Sequence, residues 1–60
     1  MTREQALEHM KKGGKVKHPL INMRPLHLVD GHVREVESGF GFHYTFTMEP
    51  KMADGFEPVE

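Results

Sequence analysis

The dipeptide Asp30-Gly31 constrains this chain more than any other feature, because alternating apolar and polar residues flank it on both sides. A two-residue type I′ turn needs positive φ at both central positions, and Asp-Gly is one of the few pairs that accepts this. Such a loop fixes the register, setting Val29 opposite His32, Leu28 opposite Val33 and His27 opposite Arg34. Ser38-Gly39, read as a second two-residue loop, continues the meander. It places Glu37 opposite Phe40, Glu35 opposite Phe42, Arg34 opposite His43 and Val33 opposite Tyr44. Side chains alternate faces along a strand. Leu26, Leu28, Val33, Phe42, Tyr44 and Phe46 are therefore expected on one face, and His27, His32, Arg34, His43, Thr45 and Thr47 on the other. A slip of one residue would mix these sets. Glu35 is the misfit on the apolar face, expected at the sheet margin or turned out by a bulge near Gly39 or Gly41.

The flanks supply the rest of an α+β fold. Thr2 and Gln5 have the spacing of a capping box, Glu4 suits the positive end of the helix dipole, and Ala6, Leu7 and Met10 share one side. Lys11, Lys12 and then Gly13 mark the end of the helix. Lys15-Val16-Lys17-His18 alternates before Pro19, with Val16 inward and the lysines outward. The segment from Leu20 to Arg24 has no clear period and reads as a loop or an interface segment. Pro50 opens a turn, and Pro58 restricts the last stretch to an edge strand. The expectation is one domain over 1–60, an N-terminal helix packed on one face of a small antiparallel sheet of four or five strands. The helix is placed at about 3–12 and the strands at about 15–18, 25–29, 32–37, 41–48 and 56–59.

Sixty residues without a cysteine can bury only a modest core, roughly 60% of the unfolded surface. No disulfide can compensate, which favours self-association as a homo-oligomer. A net charge of −1 argues against general nucleic-acid binding through overall positive charge. No apolar run approaches the length of a membrane span, and the chain start is unlike a signal peptide; a cytoplasmic location is expected.

The concentrated chemistry lies on the outward sheet face. Arg34 is the expected phosphate anchor through bidentate charged hydrogen bonds, flanked by His27 and His43. Lys15 and Lys17 extend the patch if their strand joins the sheet, and Thr45 offers a hydroxyl to a phosphate or sugar. The plain alternative is the solvated side of a two-layer domain. His27, His32 and His43 would also share this face, but Arg34 among them repels a metal ion, so no metal or other cofactor is expected. No nucleophile-base series or phosphate loop is present, and Gly39-Phe40-Gly41 enters a strand rather than a helix, so catalysis is not expected.

Three stretches carry a likeness to a known group. They are Thr2 to Lys17, with Ala6-Leu7 in the helix and Gly14-Lys15-Val16-Lys17 after it; Leu26 to Val33, the central hairpin; and Met52 to Glu60, with Ala53-Asp54. In order and spacing the whole chain resembles the short phage and prophage domains typified by the Thoeris anti-defence sponge proteins. It departs from them in having Leu20 and Ile21 where a Trp usually follows the basic strand, and Gly55-Phe56 in place of a terminal Asp-Trp. The resemblance implies a homo-oligomer that binds and sequesters a phosphorylated signalling nucleotide, a cyclic oligonucleotide or a cyclic ADP-ribose isomer, without hydrolysing it. An alternative of another class is a protein-binding inhibitor or structural module, docking on a host or phage protein through a sheet edge or the Leu20–Met23 segment.

Overall fold

Helix α1 (Arg3–Lys11) begins where the sequence provides both halves of the capping box. The Gln5 amide donates to Thr2 Oγ1 at 3.2 Å, and the Thr2 amide donates to Gln5 Oε1 at 2.9 Å. The helix ends in a Schellman arrangement, with the Gly14 amide donating to the His9 carbonyl and the Gly13 amide to that of Met10. Gly13 takes φ 91°, the left-handed conformation that such an ending requires. Ala6 and Met10 are buried, and Leu7 packs against the same core. The computed structural model describes residues 1–59; Glu60, at the end of the third stretch compared above, lies outside them.

Strands β1 (Lys15–Lys17), β2 (Leu26–Val29), β3 (His32–Glu35) and β4 (Glu57–Val59) form one antiparallel sheet in the order β3-β2-β1-β4. The β2–β3 hairpin has the register that Asp30-Gly31 dictates, pairing Val29 with His32, Leu28 with Val33 and His27 with Arg34. Asp30 and Gly31 both have positive φ, 50° and 79°. Val16 faces Leu26 on one side and Pro58 on the other, so β1 is central and β4 is an edge. Pro58 brings no N–H to that edge, which suits a proline. Helix α1 covers one sheet face. Between them lie Ala6, Met10, Val16, Leu26, Val33, Phe46, Met52 and Phe56, all buried.

The chain departs from expectation after β3. The residues expected as a strand at 41–48 instead form helix α2 (His43–Met48). Ser38-Gly39 is not a two-residue loop. The turn spans Val36 to Gly39, the Glu35 amide donates to the Phe40 carbonyl, and Arg34 bridges Gly41 rather than His43. The strand expected at 41–48 shrinks to that single bridge. Phe42 and Phe46 are separated by four residues, so they satisfy a helical stripe as well as strand alternation. In the expected register Phe46 would have faced Gly31, beyond the end of β3. In the helix it is buried, its ring 5.2 Å from that of Phe56. Tyr44, expected inward, is 77% exposed.

Glu35 does lie on the apolar side, and no bulge turns it out. It is 6% exposed and meets Arg24 Nη1 at 3.4 Å. The ambiguous segment before β2 is a 3₁₀ turn (Pro19–Ile21) followed by Asn22 and Met23, both at positive φ. Such conformations are costly for residues with a Cβ. A second 3₁₀ turn (Pro50–Met52) starts at Pro50 as expected. Main-chain bonds then join the chain ends: the Phe56 amide donates to the Met1 carbonyl, and the Arg3 amide to that of Ala53.

A candidate anion-binding sheet face

The side of the sheet away from α1 carries the residues that alternate with Val16, Leu26 and Val33. Cross-strand pairing makes the arrangement specific. Arg34 is paired with His27, and Lys15 with Val59. The Val16–Leu26 pairing, carried one residue along, sets Lys15 opposite His27. Arg34, His27 and Lys15 therefore form one transverse row over three strands. Neighbouring strands lie about 4.8 Å apart, so Arg34 and Lys15 are separated by roughly 10 Å at their Cα atoms. Lys17 lies on the same face, two residues along β1, opposite Glu57 of β4. His27, Lys15 and Lys17 are half-buried, and Arg34 is exposed.

Arg34 is partly held in place. Its Nη1 donates to the Gly39 carbonyl at 3.1 Å, which ties the guanidinium to the turn that follows β3. A guanidinium has five N–H donors, so most remain for an external acceptor. The row thus combines a planar multidentate cation, an imidazole and a compact ammonium. That set can accept anionic oxygens over a span longer than one phosphate group.

His43 and Thr45 are not part of it. Both belong to α2, which packs beside β3. His43 Nδ1 accepts a hydrogen bond from the Val33 amide at 3.3 Å, and its ring stands edge-on to that of His32 with centroids 5.1 Å apart. It covers main chain at the β3 border, while Thr45 is exposed on α2. The structure therefore brings together His27, Arg34, Lys15 and Lys17 of the expected set, and separates His43 and Thr45 from them.

Two further polar groups escaped the reading of the sequence. His18 is 4% exposed; its Nδ1 accepts from the Leu20 amide at 3.1 Å and its Nε2 lies 2.8 Å from the Asp54 carbonyl. Those roles fix the tautomer with the proton on Nε2. Its ring also packs edge-on against Phe56 at 4.8 Å. The second is the Arg24–Glu35 pair. A signal for it existed: with Leu26 opposite Glu35, Arg24 lies two residues before Leu26, within diagonal reach of that carboxylate.

Elsewhere, Met1, Glu4, Gln5, Glu8, His9 and Lys12 line a shallow depression along α1, on the other side of the molecule from the row. Among the described residues, no group of three or more His, Cys, Asp or Glu side chains is placed to hold a metal ion. No helix among them is long and apolar enough to cross a membrane. Compared with protein-family models, curated proteins and solved structures, the chain matches none.

Proposed function

We propose that this chain binds a phosphorylated signalling nucleotide on the open sheet face and sequesters it without hydrolysis, as the anti-defence sponges it resembles do. The observation that carries this reading is the transverse row of Arg34, His27 and Lys15, with Lys17 beside it. Arg34 supplies bidentate hydrogen bonds to one phosphate, Lys15 and Lys17 neutralise a second, and His27 donates between them. A cyclic oligonucleotide presents separate phosphates that such a row can engage one by one, whereas a cyclic ADP-ribose isomer presents one pyrophosphate that would engage only part of it. A homo-oligomer would give this open face the walls it lacks in a single chain.

Titration calorimetry with cyclic di- and trinucleotides and cyclic ADP-ribose isomers tests the reading. The expected result is saturable heat with at least one of them, reduced about tenfold or more in affinity by Arg34→Ala, since hydrogen bonds to charged groups contribute about 1.5–3 kcal/mol. No heat from any member of the panel, with the protein still folded, overturns it. A second reading has its own support. Phe40, Tyr44 and Met48 are exposed, with Tyr44 and Met48 one turn apart on α2, which suits a module that docks on another protein. One stoichiometric partner, retained by Arg34→Ala and lost by Tyr44→Ala, would decide for it.

A further inference from the structure

The sequence contains two Asp-Gly steps, Asp30-Gly31 and Asp54-Gly55, and the fold treats them differently. In the hairpin, no hydrogen bond joins the Gly31 amide to the Asp30 carboxylate among the described residues. At the second step the Gly55 amide donates to Asp54 Oδ1 at 2.7 Å. That contact brings Cγ, one bond beyond the oxygen, to about 3–3.5 Å from the nitrogen, the separation from which bond formation proceeds. The step is also held still. The Asp54 carbonyl is fixed by His18 Nε2 at 2.8 Å, and Gly55 at φ 95° has no Cβ to shield its nitrogen. The Asp54 side chain is 75% exposed to water, with the Met1 ammonium 3.9 Å from the same Oδ1.

We infer that Asp54-Gly55 is a built-in site of spontaneous aspartate isomerisation. The Gly55 nitrogen attacks Cγ of the protonated Asp54 carboxyl; the N–Cγ bond forms and the C–OH bond breaks. The amide proton and the hydroxyl leave together as one water, giving a five-membered succinimide. Water then adds back to either ring carbonyl. Opening at the main-chain carbonyl leaves the chain running through Cβ and Cγ, an isoaspartate of unchanged mass. The freed α-carboxylate arises where the Asp54 carbonyl stood, and so still faces His18 Nε2–H. The altered main chain is one carbon longer at residue 54, two residues before Phe56, a core residue.

The test uses the unaltered protein. It is aged in mildly acidic buffer at physiological temperature, folded or in concentrated urea, then digested, and isoaspartyl peptides are separated from their isobaric parents by chromatography. In the folded protein, isoaspartate at residue 54 is expected to exceed that at residue 30 by at least about tenfold, since a misplacement of about 1 Å between reacting atoms can cost about 100-fold. In urea the two steps should react alike. Residue 54 reacting no faster than residue 30 in the folded protein, or slower folded than unfolded, overturns the proposal.

Discussion

The β2–β3 hairpin and the segment from Val36 to Met48 begin from similar sequence signals and reach different structures. Each has an X-Gly turn pair beside residues of period two. In the hairpin the turn decides, because Asp30 and Gly31 both occupy the left-handed region and leave one register available. In the second segment only Gly39 does so, and the loop opens to four residues. The following Phe42-x-Tyr44-x-Phe46 pattern then fits two periods, and packing selects between them. His43 to Met48 is rich in aromatic and threonine residues, which favour strand on propensity alone. The helix forms because it seats Phe46 beside Phe56 and lets the segment cover the border of β3. A tight turn is local chemistry; an amphipathic period is a choice left to the core.

The sharpest way to break this contrast is to truncate the aromatic residues of α2 singly. Phe46→Ala should cost about 3–5 kcal/mol in urea unfolding, whereas Tyr44→Ala should stay within about 0.5 kcal/mol. Comparable losses at both would restore the strand. Next is the residue where the two regions meet. Arg24→Ala removes the partner of the buried Glu35 carboxylate and should cost about 1–3 kcal/mol by the same measurement, with Glu35→Gln recovering part of the loss in the double variant. The glycines come third. Gly31→Ala should cost about 1–2 kcal/mol because of its left-handed φ, although nothing lies near its Cβ position. Gly41→Ala, which has open space and no left-handed requirement, should change stability by less than about 0.5 kcal/mol. Equal effects would mean that the second segment is as constrained by backbone geometry as the first. Among the losses expected to be measurable, the smallest is at His43. His43→Ala leaves the Val33 amide to water and should cost about 0.5–1 kcal/mol, with faster hydrogen exchange at that amide as the specific readout.

Legibility in the sequence followed the same division. Capping box, Gly13 ending, hairpin register, Pro50 turn and Pro58 edge position are each set by residues within a few positions of one another, and each was readable. So was the row of Arg34 and His27, since it follows directly from Asp30-Gly31. The order of β1 between β2 and β4 depends on contacts distant in the chain, yet the lysines of β1 were assignable to the right face by alternation alone. His43 and Thr45 were misplaced because they inherited the register of a turn that does not form. Glu35 was rightly set on the apolar side, but a buried carboxylate requires a partner. That requirement pointed back to Arg24, in a stretch with no periodicity to guide the eye. His18 had no comparable signal, because its partners at Leu20 and Asp54 are main-chain groups that any sequence would offer.

The closure of both sheet borders has a consequence for behaviour at high concentration. β3 is overlaid by the Phe40–His43 stretch, with the Glu35 and Val33 amides already engaged, and β4 is three residues long with Pro58 at its centre. An exposed edge strand is the usual template for strand-by-strand polymerisation into fibrils, and proline and coverage are the usual protections. This chain has both, one on each side. Among the described residues neither border offers an open strand, so any assembly this chain forms should be finite and saturable, made by faces meeting rather than by strand addition.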